Sequence, residues 1–295
     1  MTPFTLKSKT EMGIPLQATF HPERGMNMLS YKLGNLEVID QSTKEVFEKK
    51  YAGLGALIGP HFHRRPLHLI PQNIDENIFP HSKYFKNDER PDPFSHGIGR
   101  YAPWKVSYTE ENFTAKLSGK DLWNGVPLSQ LEGQNFEMQF HGMLTPSGLK
   151  LKLSAVSDFD SIVGIHYYYT LPSGRAVIFS QVQNAYIIQN EKKQLPSDWN
   201  FDKEHNLTYP LDQDTDFTFF PYPDPLLGKI ILDTETHKLV TTYHSDSEEN
   251  SWQLWHPKGA SFVCIEPVSS QNPRRPNLTV SSIQIELQIF EKNLC

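Results

Sequence analysis

Cysteine is nearly absent from this chain. Two occur in 295 residues, Cys264 inside an apolar run and Cys295 at the last position. Two are too few for a disulfide framework and fit a reducing compartment. Long apolar runs are missing as well. No stretch approaches the length needed to cross a bilayer, and the opening MTPFTLKSKTEMG lacks the apolar segment of a signal peptide. The expectation is a cytoplasmic protein with no membrane role, so the sequons at Asn112, Asn206 and Asn277 read as chance matches. An excess of positive charge is also lacking. The formal net charge is -6, and basic residues gather only as the pairs Arg64-Arg65 and Arg274-Arg275. Nucleic-acid binding, which needs a concentrated basic surface, is therefore not expected. No long amphipathic helix, βαβ rhythm, Gly/Ser linker or internal repeat is present.

What the chain does contain is strand signal. Ser282 to Ile289 alternates strictly between polar and apolar residues, the pattern of a half-buried strand. FEMQF (136–140) and LKLKL (149–153), separated by Pro146-Ser147-Gly148, read as a hairpin. Further strands are expected at 27–32, 35–39, 104–109, 112–117, 162–170, 175–180, 185–189, 229–233, 237–243 and 261–266. Short helical turns are expected near 41–49 and 73–78, and 190–206 reads as a polar surface excursion. The 22 prolines cluster in loops such as 60–71, 90–93 and 221–225, where they cost no ladder bonds. Hydrophobic residues make up 38% of the chain, enough for a large core. The reading is one all-β domain over residues 1–295, a large antiparallel β-sandwich.

Four constellations could carry chemistry. Residues 59–100 hold His61, His63, Arg64, Arg65, His68, His81, His96 and Arg100. In an extended segment, His61-Phe62-His63 would put two imidazoles on one face, a spacing suited to a metal, but no glutamate follows closely. Ser95-His96-Gly97-Ile98-Gly99-Arg100 pairs glycines, which let backbone approach a ligand, with two donors for hydroxyls or phosphate. Gly164-Ile165-His166-Tyr167-Tyr168-Tyr169 sets an imidazole in an aromatic strand, with Tyr168 on the same face and Tyr167 and Tyr169 on the other. Phe262-Val263-Cys264-Ile265-Glu266-Pro267 ends an apolar run with a carboxylate whose pKa burial would raise towards that of a general base. Asp212, Asp214 and Asp216 form an acidic stretch, and SWQLWHP adds Trp255 as a possible pocket wall.

In this order the pieces resemble the aldose 1-epimerase superfamily, whose fold is galactose mutarotase-like, over about residues 20–290. GALIGPHF resembles that family's first pocket strand. SHGIGRYAPW resembles its histidine-glycine motif, in detail nearer the hexose-6-phosphate 1-epimerase branch. IHYYYTL resembles the catalytic-histidine strand, and SWQLWHPKG with FVCIEP its late segments. The resemblance implies Glu266 as base, His166 as acid and His96 as a second pocket histidine. It implies Arg100 as a phosphate-reading arginine and Asp212, or else Asp216, as the acidic sugar ligand. Arg64 and Arg65 are the choices for an early pocket arginine. The substrate implied is a sugar or sugar phosphate, with no cofactor and no metal. The chain departs from the pattern at the HFH insertion, Ile98, His256 and PVSSQNPRRPN. Two other functions stay open at this stage: a non-catalytic carbohydrate-binding protein of the same fold, and a metal-dependent β-barrel enzyme using His61, His63 and His96.

Overall fold

The computed structural model describes residues 2–65, 69–71, 74–85 and 92–292. His68, Cys295 and parts of the proline-rich stretches 60–71 and 90–93 lie outside the described residues. The chain forms two large antiparallel sheets, of eleven and ten strands, and a small hairpin of Leu122–Trp123 with Val126–Pro127. The centre of the eleven-stranded sheet runs Gly55–Ile58, Gly164–Thr170, Phe262–Val268, Ser251–His256, Thr215–Pro221, Val182–Ile188. The ten-stranded sheet includes Leu278–Glu291 between His237–His244 and Gly148–Ser161.

Period-two patterning sets which face of each strand is buried. In Phe136–Thr145, Phe136, Met138, Phe140 and Leu144 are buried, while Glu137, Gln139 and Met143 are exposed. Gly142 occupies the missing inward position because its register partner is Phe113, whose ring would lie 2.2 Å from an added Cβ. The two sheets enclose one apolar cluster that includes Tyr31, Phe140, Tyr167, Leu239, Leu254 and Ile283. Tyr31 also links the sheets by hydrogen bonds: its hydroxyl donates to the Leu287 carbonyl at 2.8 Å and accepts from the Leu149 amide at 3.1 Å.

The middle strands of the eleven-stranded sheet break the inside–outside alternation. Gly164–Tyr169 is buried throughout, as is nearly all of Phe262–Val268 and Ser251–His256. A strand buried on both faces has something on each. One face packs on the core. The other forms the floor of a cavity.

Helix is confined to short pieces, including Lys44–Lys50 and Leu128–Glu132. Among the described residues no helix is long and apolar enough to cross a membrane. The β-barrel expectation fails here. Among the described residues the strands form two open, stacked sheets, and neither closes on itself. The helical turn near 41–49 is present, and 191–194 and 200–201 are exposed edge strands. Strands at Phe4–Lys9, Pro15–His21, Thr215–Pro221 and Ser251–His256 join those expected from sequence.

Candidate active site

Strand register builds the cavity floor as two rows. Tyr168 pairs with Cys264, Cys264 with Trp255, and Trp255 with Asp216. In the second row Glu266 pairs with Gln253, Gln253 with Thr218, and Thr218 with Ile187. Extending the register of Tyr167 with Ile265 sets His166 across from Glu266. Five strands thus aim alternate side chains towards one space of about 370 Å³.

His166 Nε2 lies 3.2 Å from Glu266 Oε1. Both side chains are buried, Glu266 at 2% exposure and His166 at 7%. Burial pushes the Glu266 carboxyl up to about 8, with Arg100 pulling the other way and Asp216 adding to the rise. Burial pulls the His166 imidazolium well below its ordinary value, and the charge on Arg100 adds to this. Burial thus favours the uncharged form of each partner, carboxyl and imidazole. Tyr168 stacks beside His166 with ring centroids 5.1 Å apart, and Trp255 meets it edge-on at 6.0 Å. Tyr168, Trp255 and Phe262 cluster at 5.0–6.0 Å and form an aromatic shelf.

The opposite wall comes from loops. His96 is left-handed, with φ 68°, and its ring stands perpendicular to His166 at 5.2 Å. Burial and the neighbouring Arg100 hold the His96 imidazole neutral. Gly97, with φ 93°, fits because a Cβ there would sit 2.0 Å from the Gly59 carbonyl oxygen. That closeness carries hydrogen bonds in both directions, Gly59 N to His96 O at 2.9 Å and Gly99 N to Gly59 O at 3.0 Å. Arg100 is fixed by its Nε, which donates to the Leu57 carbonyl at 3.0 Å, while its buried Nη2 has no protein partner among the described residues.

The loop wall is braced from behind by buried charges. Arg65 holds Asp92 through Nε and Nη2 at 2.9 and 2.7 Å, and donates through Nη1 to the Leu131 and Glu132 carbonyls. Glu132 Oε2 accepts from the Ile98 amide at 2.9 Å, and Oε1 lies 2.6 Å from His61 Nδ1. Burial opposes charge on His61, but Glu132 and Asp92 outweigh it and raise its pKa. Burial likewise opposes the Asp92 carboxylate, and Arg65 and His61 hold its pKa far below the usual range.

The sequence-derived candidates thus divide. Glu266, His166, His96, Arg100, Asp216, Arg64, Tyr168 and Trp255 all border the one cavity. Arg65 does not; it lies in the ionic brace behind the loop. Asp212 borders a different, shallower groove with Arg175 and Lys258. His61 and His63 do not share a face: His63 has φ 57°, so the segment turns, and His61 points at Glu132. His256, where the resemblance would place asparagine, is buried with Nδ1 2.8 Å from the Phe262 carbonyl. The described residues offer one geometric cluster of metal-ligand type, His166, Cys264 and Glu266, and not the three histidines. Sequence reading missed Lys50, Thr218, Gln253, Gln189, Asn190, Asn272 and Arg274 at the cavity. Register would have found Thr218 and Gln253. Gln189 and Asn190, both left-handed, are the two-residue turn joining Val182–Ile188 to Glu191–Gln194, a turn whose residue types gave no strong signal.

The chain matches known structures along nearly its whole length. A galactose mutarotase-like protein from Lactobacillus casei superposes with a TM-score of 0.66 at 13% identity, covering 98% of this chain and 100% of that one. The chain has the galactose mutarotase-like fold. A GalM/aldose epimerase homologue from C. elegans gives 0.66 at 15% identity, covering 99% and 100%. A galactose mutarotase related enzyme from Lactobacillus acidophilus gives 0.61 at 16%, covering 99% and 98%. Scans against family models and curated proteins give no match.

Proposed function

We propose that this galactose mutarotase-like protein is a sugar 1-epimerase, interconverting the α and β anomers of a hexose or hexose 6-phosphate. The observation that carries the reading is the buried contact of His166 with Glu266, 3.2 Å apart, facing the cavity. Anomer exchange needs one proton taken from the C1 hydroxyl and one given to the ring oxygen. A carboxyl and an imidazole sharing a single proton supply that pair of transfers. The proton passes across the 3.2 Å contact to His166, leaving Glu266 as carboxylate. Glu266 then removes the C1 hydroxyl proton and His166 protonates the ring oxygen. The C1–O5 bond breaks to the open-chain aldehyde. Rotation about C1–C2 turns the other carbonyl face to the ring oxygen, and closure with reversed transfers gives the second anomer.

The walls suit such a ligand. Tyr168 and Trp255 offer faces for the apolar side of a pyranose. Arg100 Nη2 and His96 point donors at the same space. Lys50, Arg64, Arg100 and Arg274 line the cavity against only Asp216 and Glu266, a balance that favours a phosphorylated sugar.

Exchange spectroscopy by NMR tests the proposal with glucose, galactose and glucose 6-phosphate, the last corrected for its faster spontaneous exchange. Acceleration by wild type and not by Glu266→Ala is the expected result. Saturable binding of a sugar without acceleration would leave a carbohydrate-binding role in its place.

A further inference from the structure

Cys264 has no part in the proton transfers above, yet it is placed beside them. Its neighbours in sequence, Val263 and Ile265, face the core, so its own side chain shares the cavity face with Glu266. Its register partners are Tyr168 on one side and Trp255 on the other. Those two rings approach within 6.0 Å of each other across the strand between them, and the thiol is fully buried. The result is a sulfur next to the His166–Glu266 pair and screened from bulk water.

One ligand atom from each of His166, Cys264 and Glu266 lies within 4.8 Å of the other two. A tetrahedral zinc-sized ion holds sulfur at about 2.3 Å and nitrogen or oxygen at about 2.0–2.2 Å. Ligand atoms around such an ion are therefore roughly 3–4 Å apart. The nitrogen–oxygen spacing here is already 3.2 Å. The three groups come from two adjacent strands in the middle of the sheet, where backbone hydrogen bonding fixes them before any ligand arrives.

We propose that His166, Cys264 and Glu266 form a three-ligand site for a thiophilic divalent cation of zinc's size, open to the cavity at its fourth position. Thiolate and carboxylate together balance the charge of the dication, so the occupied site is neutral. That neutrality lets the ion sit in the cavity that also holds Arg100. Imidazole, thiolate and carboxylate together favour zinc or cobalt over magnesium or calcium. With the ion in place, His166 and Glu266 are ligands and cannot carry protons, so occupancy switches anomer exchange off. This last consequence rests on the epimerase reading; the metal site does not.

The test is titration of the chelator-treated full chain with cobalt(II), followed by the sulfur-to-cobalt charge-transfer absorption. That band reports thiolate ligation and ignores cobalt held by other histidines. One equivalent bound with the band is expected for wild type and for Cys295→Ser. Cys264→Ala, checked for fold by circular dichroism, loses the band, and its affinity for cobalt at this site falls by more than about 100-fold, beyond the cost of losing an outer-shell contact. Glu266→Gln retains the thiol and binds more weakly. No band in wild type, or a band that survives in Cys264→Ala, overturns the proposal. If the band forms and no sugar is epimerised by the metal-free protein, the metal site stands and the epimerase reading falls. If exchange is catalysed and no band forms, the reverse holds.

Discussion

The cavity has two walls made by different means. Its floor is strand, and each side chain there is placed by register: Tyr168, Cys264, Trp255 and Asp216 in one row, Glu266, Gln253, Thr218 and Ile187 in the next. Its opposite wall is loop, and its side chains are placed by left-handed residues, a close glycine contact and buried ion pairs. On the floor, moving one residue along the chain sends a side chain to the core. Along the loop, moving one residue can exchange a cavity-lining arginine for a buried brace, as Arg64 and Arg65 do. The proposed acid–base pair sits on the strand wall and Arg64 and Arg100 on the irregular one, a division common to sites grafted on scaffolds.

Four changes would break or sharpen this contrast. The largest effect is expected at the floor. Glu266→Ala should reduce anomer exchange by about 10²–10⁴-fold, the span of a general acid–base contribution. Sugar affinity, read by calorimetry, should change little, because the loop wall is untouched. Next comes the adjacent arginine pair. Arg65→Ala strands Asp92 in the interior and should cost about 3–5 kcal/mol in urea unfolding. Arg64→Ala, half-buried at the cavity, should cost far less stability and weaken sugar binding. Equal destabilisation by the two would erase the distinction between brace and ligand wall. Third, Gly97→Ala forces a Cβ against the Gly59 carbonyl at a left-handed φ. Backbone strain of this kind is worth about 1–3 kcal/mol, and either the melting point falls or the His96 loop moves and sugar binding is lost.

The last test is of pH dependence. Burial pulls the imidazoles of His81 and His237 down to about 4. Both are neutral when folded and titrate near 6.5 when unfolded. Their contribution is fully present above 6.5 and is lost as pH falls from 6.5 towards 4. His61 runs oppositely: its raised value stabilises the fold at low pH and loses that contribution as pH rises through it. Melting curves should therefore decline from pH 6.5 to 4.5, by about 1–3 kcal/mol for each of the first two histidines. His81→Phe, which keeps the ring stack against Trp123 and Tyr101, should flatten that decline.

The same contrast explains what the sequence made legible. Ser282–Ile289 and Phe136–Phe140 alternate cleanly because one face meets water, and both are strands. The sharing of a face by His166 and Tyr168 followed from period two alone and holds in the structure. Thr215–Pro221 was obscured by LDQDTD, because aspartates are depleted in strands and the run looked like a loop. Its neighbours Phe217 and Phe219 face the core, which makes Asp216, not Asp212, the cavity residue. The HFH pair failed for a related reason. Period-two logic assumes extended backbone, and His63 is left-handed. Nothing in the residue types around 61–65 distinguishes an arginine that meets Asp92 from one that meets the cavity.

Arg100 is held at one end by the Leu57 carbonyl while the other end faces the cavity. A free arginine gives up about 2 kcal/mol of rotamer freedom when a ligand fixes it. Arg100 has surrendered that freedom during folding, so fixing it on a ligand oxygen would carry little further entropic penalty. Binding through Arg100 should therefore be enthalpic in character and should persist at salt concentrations that screen Lys50, Arg64 and Arg274.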